Sequence, residues 1–359
     1  MQGGDFLNFS YKFPAVRGIQ AGREYYVSMV PLKILPKLFI TDDDIVSPEF
    51  RAQRRLNEAR IPSIKKYILD NRSSYVFSAL SASLDGKFEF IPHEKDGEIG
   101  ILEIDMNTTF LINDGQHRKA AIEEAVREKP DLGDETISVV FFEDKGLERS
   151  QQMFTDLNKH AVKTSNSIST LYDSRDELAV ITKQIIYEIP FFNQYTDKEK
   201  DNLGKNSSKL FTLNNIYKAN QRIIKHGADE KDKKFLLDYW NMVVVNIVEW
   251  QELLKKEISK ADLRQNYVLC LNVMLASFGR LGLYYYENPN VDMTKELKKL
   301  KKVNWARSNL DDWGGRVIGE HGKIQTNETA VILICNKIKQ LIGIPLSPDE
   351  QRKEDIIVK

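Results

Sequence analysis

The sequence is poor in cysteine and has no surplus of charge of either sign. Two cysteines among 359 residues cannot form a disulfide framework, so we expect a fold without cross-links. The 52 basic and 52 acidic side chains cancel, which argues against a histone-like protein that binds nucleic acid through net charge. A local basic surface is still allowed, because nucleic acid responds to how charge is clustered.

Long apolar runs are also missing. No uninterrupted apolar segment approaches the ~18 residues that suggest a membrane-spanning helix. The opening residues, MQGGDFLNFSYKFPAV, contain neither the basic nor the apolar region of a secretory signal. We therefore expect a cytoplasmic protein with no membrane partner.

The pattern of apolar residues changes near residue 165 and divides the chain into two parts. Its hydrophobic content of 42% indicates a sizeable core, and its length suggests two domains. Residues 1–164 mix short strand-like runs with helical segments, whereas residues 165–359 show mainly helical periodicity. The predicted fold class is α+β, with a mixed α/β domain over residues 1–164 and an α-helical domain over residues 165–359.

Three segments and the two cysteines give sharper structural predictions. Residues 24–40, EYYVSMVPLKILPKLFI, contain two prolines and predict an extended, edge-like strand. Residues 136–144, TISVVFFED, are continuously apolar in the middle and predict a fully buried strand. Residues 240–250, WNMVVVNIVEW, resemble a strand by composition, but the flanking periodicity favours a helix. Cys270 and Cys335 lie in apolar segments that are predicted to be helical, and both are expected to be buried, reduced thiols.

Five polar residues of different chemistry, DGQHR, stand between an apolar run and an amphipathic one. TTFLIN predicts a strand, DG a tight turn and QHRKAAIEEAV the start of a helix. Asp114 is the expected N-cap of that helix, and Gly115 lets the backbone approach a ligand closely. A helix N-terminus presents unpaired N–H groups, which favour anions.

The side chains at this corner suit phosphate chemistry. Arg118 provides a planar, permanently charged fork, and His117 can donate to phosphate or move a proton near neutral pH. Gln116 can hold a water molecule or a phosphate oxygen, while Asp114 can bind a divalent metal or orient a nucleophile. A nucleotide phosphate explains all five residues together. From the residues alone, a solvated His-Arg pair after a common Asp-Gly turn is an equally weighted alternative.

In this strand–turn–helix setting, DGQHR resembles the signature of the DGQHR-domain proteins, a branch of the ParB/sulfiredoxin fold. Within that branch the chain is most similar to the DndB family, regulators of bacterial DNA phosphorothioate (sulfur) modification. The resemblance spans residues 13–173 and includes VSPEFRAQRRLNEARIPSIKKYILDN, YVFSALSAS and DLNKHAVKTSNSISTLYD, with a weaker likeness in LFTLNNIYKAN. It implies a ParB/sulfiredoxin-like first domain and a DNA-binding repressor of the modification genes whose DNA affinity responds to nucleotide.

The related families differ at the same letters. Sulfiredoxins carry Gly-Cys-His-Arg where this chain has GQHR, and Gln116 replaces their reactive cysteine. No thiol occurs before Cys270, which effectively excludes sulfiredoxin chemistry. ParB proteins carry Gly-Glu-Arg-Arg there and bind a nucleoside triphosphate. The letters shared by all three, Gly115 and Arg118, imply nucleotide binding with hydrolysis, as in a weak ATPase. ATP is the expected ligand, with CTP as the alternative and Mg²⁺ as its companion.

The resemblance also implies a set of site residues. Asp114, Gln116 and His117 are the catalytic candidates, and Asp114 is also the candidate metal ligand. The candidate nucleotide-binding residues are Asp114, Gly115, Gln116, His117, Arg118, Asn158, Arg54 and Arg55. Arg54 and Arg55 belong to RAQRR, which resembles an arginine stretch near the nucleotide in ParB proteins; a solvated helix face is the alternative. Asn158 matches an asparagine that touches the nucleotide in ParB proteins; helix capping is the alternative.

Two basic clusters are candidate DNA contacts, one near residues 51–72 and one near residues 295–307. The candidates are Arg51, Lys65, Lys66, Lys298, Lys299, Lys301, Lys302 and Arg307. Such contacts to phosphate supply affinity and register but no sequence information, and a solvated lysine face is the common alternative. The expected partners are double-stranded promoter DNA and nucleotide, and a homo-oligomer is left open.

Two rival functions remain open from the sequence. One is a ParB-like, metal-dependent nuclease that nicks DNA with Asp114, Gln116 and His117. The other is an interaction module in which the DGQHR corner is retained only as a structural cap.

Overall fold

The protein is α+β, as predicted, and its chain divides into two compact units, Met1–Val162 and Lys163–Lys359. The computed structural model describes residues 9–39, 57–143, 152–153, 156, 164–204 and 207–357. Each unit has its own hydrophobic core, the first built on a sheet and the second on helices. The DGQHR residues belong entirely to the first unit.

The first unit contains a seven-stranded mixed sheet with the order β4-β5-β1-β2-β7-β3-β6. Neighbouring strands are antiparallel except β3 and β7, which run parallel. Among the described strands, β6 therefore lies at one edge of the sheet, and the DGQHR turn follows it. The strands are β1 (Ser10–Gln20), β2 (Arg23–Pro31), β3 (Leu80–Asp85), β4 (Phe88–Pro92), β5 (Ile99–Asp105), β6 (Thr109–Asp114) and β7 (Thr136–Glu143).

The helices of this unit share a core with the sheet. Ala121, Ile122 and Ala125 form the buried stripe of the helix after DGQHR, at the spacing that predicted a helix there. Ile122 and Ala125 join strand residues such as Ile112 in one cluster. The helices are α1 (Leu35–Leu38), α2 (Ile61–Asp70) and α3 (Gln116–Glu128), with 3-10 turns at Leu32–Ile34, Glu58–Arg60 and Pro130–Asp134.

The prediction of one edge-like strand over residues 24–40 is wrong in two respects. Strand β2 ends at Pro31, and a 3-10 turn and α1 follow it. Pro36 lies in the first turn of α1, where its missing N–H does no harm. Nor is β2 an edge, because it pairs with β1 on one side and β7 on the other.

The prediction that β7 is fully buried is also wrong. Ile137, Val139 and Phe141 are buried, whereas the residues between them are only partly covered. The strand therefore has one core face, and the apolar letters Val140 and Phe142 lie on the other face.

The second unit consists mainly of helices around a core that includes four buried tryptophans, Trp240, Trp250, Trp305 and Trp313. Its helices are α4 (Asn166–Tyr172), α5 (Glu177–Glu188), α6 (Pro190–Tyr195), α7 (Leu213–Ile223), α8 (Glu230–Asn246), α9 (Val248–Leu254), α10 (Lys260–Asn266), α11 (Asn272–Glu287), α12 (Met293–Leu297), α13 (Leu310–Trp313), α14 (Glu328–Ile342) and α15 (Pro348–Ile357). Two short parallel strands, β8 (Thr196–Asp197) and β9 (Phe211–Thr212), and 3-10 turns at Lys298–Lys302 and Glu320–Gly322 complete it.

The ambiguous segment WNMVVVNIVEW is helical, as predicted. It forms the end of α8 and the start of α9, with a break at Ile247. Cys335 is buried in α14, also as predicted. Cys270 instead lies in a turn before α11 and is only partly covered, so its helical assignment is wrong. No helix in the described residues is long and apolar enough to cross a membrane.

Candidate functional site

The DGQHR corner turns the chain from β6 into α3 at a single glycine. Gly115 has φ 105° and ψ 15°, in the left-handed region. A Cβ added at this position would lie 2.4 Å from Leu80 Cδ2 and 3.3 Å from Arg118 Nη2. The backbone conformation therefore favours glycine, and a Cβ would in addition require the end of the buried Leu80 side chain to shift.

The prediction that Asp114 caps α3 is wrong. Asp114 is the last residue of β6 and pairs with Ser81 in the sheet, one position too early to cap the helix. Gly115 occupies the N-cap position, and no side chain in the described residues caps α3. The Asp114 carboxylate instead accepts a hydrogen bond from Arg118 Nη2 at 2.6 Å. The first N–H groups of α3 are therefore left without a side-chain cap in that part of the chain.

Arg118 fastens the segment before β3 to the corner. Its Nη1 donates to the backbone oxygen of Ser78 at 2.6 Å, to Ser78 Oγ at 2.5 Å and to the backbone oxygen of Ala79 at 2.9 Å. With Asp114 on Nη2, the guanidinium contacts acceptors on both sides, and its side chain is only 17% exposed. The solvated surface pair considered above does not describe this arginine.

Gln116 and His117 also bind backbone groups. Gln116 Nε2 donates to the carbonyl oxygens of Ile112 at 3.1 Å and Asn113 at 3.4 Å, near the end of β6. His117 Nε2 accepts the backbone N–H of Asn57 at 3.0 Å. Nε2 of His117 therefore acts as a hydrogen-bond acceptor in this contact.

Asn113, the residue before the motif, was missed by sequence reasoning. Its side chain is fully buried, and Nδ2 donates to Ser83 Oγ at 2.7 Å and to Met153 Sδ at 3.2 Å. Its Oδ1 has no hydrogen-bond partner among the described residues. A buried carbonyl oxygen without a partner costs ~1–3 kcal/mol. The sequence could have indicated this buried polar residue, because Asn113 ends the apolar run TTFLIN.

The first basic cluster is only partly described. Arg51, Arg54 and Arg55, and likewise Asn158, lie outside the described residues. The two lysines of α2 each have an acidic partner. Lys65 Nζ lies 2.8 Å from Glu128 and 3.8 Å from Glu124, both on α3, and Lys66 Nζ lies 2.6 Å from Asp70. The hydrogen bond to Glu128 raises the pKa of Lys65, so the lysine stays charged but compensated.

In the second basic cluster, some side chains are hydrogen-bonded to backbone oxygens and others are not. Lys299 Nζ donates to the backbone oxygen of Ile342 at 2.6 Å, at the end of α14. Arg307 Nε donates to the backbone oxygen of Tyr267 at 3.0 Å. Of the candidate DNA contacts in this cluster, Lys298, Lys301 and Lys302 are exposed and make no side-chain hydrogen bond or ion pair with the described residues.

One family model matches residues 13–345 of the chain, and its description is DndB: DNA-sulfur modification-associated. The chain belongs to the DndB family. The resemblance drawn from DGQHR and its neighbours is therefore confirmed at the family level. The match extends well beyond residue 173, through most of the helical unit. No curated protein and no solved structure gives a significant match.

The described part of this DndB-family chain contains no group of three or more His, Cys, Asp or Glu side chains that could hold a metal. Asp114 offers a single carboxylate, 43% exposed, and Arg118 already binds it. Mg²⁺ usually takes one or two carboxylates and completes its shell with water and substrate phosphates. Asp114 alone could therefore hold Mg²⁺ only together with ligands from another source, such as substrate phosphates.

Proposed function

We propose that this DndB-family chain is a DNA-binding regulator of DNA phosphorothioate modification whose DNA affinity responds to a nucleotide held at the DGQHR corner. The observation that carries the proposal is the start of α3, which lacks a side-chain cap in the described residues. It follows a left-handed glycine at a position without room for a Cβ. An uncapped helix N-terminus behind a glycine is a common arrangement for binding phosphate.

The first turn of α3 would supply the phosphate contacts. Its N–H groups carry the positive end of the helix dipole, worth about half an elementary charge. His117 lies in the same first turn, and its ring is held by the hydrogen bond from the backbone N–H of Asn57 to Nε2. The left-handed conformation of Gly115, with φ 105°, turns the chain from β6 directly into this first turn.

Arg118 would act mainly as a positioning residue. Through Nη2 it compensates the carboxylate of Asp114, which would otherwise repel a phosphate at the same helix end. Through Nη1 it holds Ser78 and Ala79 beside the turn. Its contribution to nucleotide binding therefore comes from keeping the corner closed and electrically neutral.

ATP with Mg²⁺ is the proposed ligand, with CTP as the alternative. Bound Mg²⁺ would supply charge compensation for the phosphates, and Asp114 is the residue that would hold it together with phosphate oxygens. Hydrolysis would be slow, because Nε2 of His117 is already engaged by Asn57 and Gln116 donates to carbonyl oxygens of the sheet. These contacts favour nucleotide binding over rapid turnover.

DNA would contact the exposed lysines Lys298, Lys301 and Lys302, and Lys66, which is 76% exposed despite its pairing with Asp70. Lysine contacts of this kind bind phosphates independently of sequence and steer the approach of DNA. They suit a neutral chain in which positive charge is concentrated locally.

The test compares Gly115→Ala with Gly22→Ala. Both glycines have positive φ, but a Cβ on Gly22 meets no atom within 4 Å. Thermal shift with MgATP and binding of promoter DNA with and without MgATP are measured for each variant and for the wild type. A saturating ligand, at about 100 times its Kd, stabilises by ~2.7 kcal/mol. We expect that stabilisation and the nucleotide effect on DNA binding in the wild type and Gly22→Ala, and neither in Gly115→Ala.

Two results would contradict the proposal. One is a wild-type protein whose melting temperature and DNA binding do not respond to nucleotide. The other is a Gly115→Ala variant that responds as strongly as Gly22→Ala. Nicking of supercoiled plasmid that needs Asp114 would favour the nuclease instead.

A further inference from the structure

The helical unit contains a cavity of about 370 Å³ that the proposed function does not use. This volume lies in the lower part of the ~300–1,000 Å³ range of small-molecule sites. Its lining combines charged, amide, hydroxyl and apolar groups, and all of them belong to the second unit. None of the lining residues belongs to the DGQHR corner, which lies in the first unit.

Two arginines line this cavity and are held by backbone oxygens. Arg264 donates to the carbonyl oxygens of Gly204, at 3.2 Å, and of Lys209. Arg307 donates through Nε to the carbonyl oxygen of Tyr267 at 3.0 Å. The carbonyl oxygen that orients Arg307 does not cancel the charge of its guanidinium. In the described residues no carboxylate pairs with Arg307, and its two terminal nitrogens make no hydrogen bond there.

The start of α11 contributes a third group of donors. Leu271, Asn272 and Val273 line the cavity, and α11 begins at Asn272 with no side-chain cap among the described residues. A helix of this length presents the positive end of its dipole at these N–H groups.

The other ionisable groups leave the wall net positive, because Asp201 is the one carboxylate among its described lining residues and the two arginines outnumber it. The Asp201 carboxylate is charged and accepts hydrogen bonds from the backbone and side chains of Asn166 and Ser167, at the start of α4. Burial raises the pKa of the Cys270 thiol to about 12, so the thiol is uncharged near neutral pH.

We propose that this cavity binds a small phosphorylated molecule, with its phosphate between Arg264, Arg307 and the start of α11. Three separate groups of donors match the three terminal oxygens of a phosphate monoester, whereas a carboxylate offers only two oxygens. Leu203 and Ile324 provide apolar wall for the organic part of the ligand. This site would let a metabolite act on the protein independently of a nucleotide at the DGQHR corner.

Cys270 provides a direct readout of occupancy. It lines the cavity, while Cys335, the other cysteine of the chain, is fully buried. The rate at which a maleimide labels Cys270 in the native, full-length protein is followed by mass spectrometry. The probes are inorganic phosphate, AMP, adenosine as the uncharged counterpart of AMP, and a duplex DNA oligomer.

We expect AMP and phosphate to slow the labelling of Cys270 in a saturable way, and adenosine and DNA to leave it unchanged. Arg307→Gln should raise the half-protecting concentration of AMP at least about tenfold, because a charge-assisted hydrogen bond is lost. Arg307→Lys, which keeps the charge, should give a smaller increase. Arg352→Gln, on an exposed arginine of α15, is the matched control and should behave as the wild type.

The wild-type measurements alone can overturn the proposal. Failure of phosphate and AMP at millimolar concentration to protect Cys270, or equal protection by adenosine, would refute it. So would protection by DNA without protection by AMP, or full protection retained in a folded Arg307→Gln variant. In Gly115→Ala the protection should persist, which distinguishes this cavity from the DGQHR corner.

Discussion

Arg118 links α3 to the segment that precedes β3, and its loss would leave several acceptors without a partner. In Arg118→Ala the carbonyl oxygens of Ser78 and Ala79 and the carboxylate of Asp114 lose their donor. We expect the free energy of unfolding to fall by ~2–3 kcal/mol, measured by urea denaturation. This figure is discounted because Asp114 is partly exposed and can be hydrated.

Arg127→Ala is the matched control on the same helix. Arg127 is 73% exposed and lies 3.5 Å from Glu123, so its removal should change stability by no more than ~0.5 kcal/mol. Arg118→Lys should recover little, since one ammonium cannot reproduce the fork that spans Ser78 and Asp114. Equal destabilisation by the two alanine variants would show that Arg118 does not fasten the corner.

At the level of single residues, the sequence predicted the backbone of the DGQHR corner better than the contacts of its side chains. The strand–turn–helix setting of DGQHR and the need for Gly115 could be read from local letters. The roles of Asp114 and Arg118 could not, because they depend on where β6 ends and on Ser78, which lies far away in the chain. A shift of one residue in the boundary between β6 and α3 decides whether Asp114 caps the helix, and the local sequence does not fix that boundary to one residue.

At the level of elements, long periodic segments were predictable and pairing was not. The stripe of α3 and the helical assignment of WNMVVVNIVEW follow from spacing within one segment. Whether β2 is an edge depends on its pairing with β7, more than a hundred residues later in the chain. The sequence of residues 24–40 does not indicate that β7 will pair with this strand.

Lys299 and Lys298 are neighbours with different roles in their elements. Lys299 donates to the last turn of α14 through the carbonyl oxygen of Ile342, whereas Lys298 makes no side-chain hydrogen bond among the described residues. A cation at a helix C-terminus contributes ~0.3–1 kcal/mol. We expect Lys299→Ala to lower the free energy of unfolding by about that amount and Lys298→Ala to leave it unchanged, as measured by chemical denaturation.

DNA affinity should show the reverse order for these two variants. Lys298→Ala removes an exposed charge and should weaken DNA binding more than Lys299→Ala does. If Lys298→Ala destabilises the protein as much as Lys299→Ala, the contact with Ile342 does not distinguish the two lysines.

At the scale of the whole molecule, 52 basic and 52 acidic side chains leave no net attraction for DNA. The proposed binding of DNA must then depend on local clusters, and the salt dependence of the affinity counts the phosphate contacts that these clusters make. Each phosphate contact contributes roughly 0.9 to the slope of log K against log salt for duplex DNA. The slope is therefore a direct measure of whether a given lysine touches the backbone.

Lys301→Ala/Lys302→Ala should lower the magnitude of this slope by roughly 2 and weaken promoter and random DNA about equally, because phosphate contacts do not read sequence. The control, Lys231→Ala/Lys234→Ala, removes the same charge from exposed positions of α8 in the same unit. If net charge governed binding, both double variants would lose DNA affinity to the same extent. If a local basic surface governs binding, only Lys301→Ala/Lys302→Ala should lose affinity. Titrations of labelled DNA over a range of salt concentrations distinguish the two cases. Equal slopes in the two double variants would show that the 3-10 turn Lys298–Lys302 does not contact DNA.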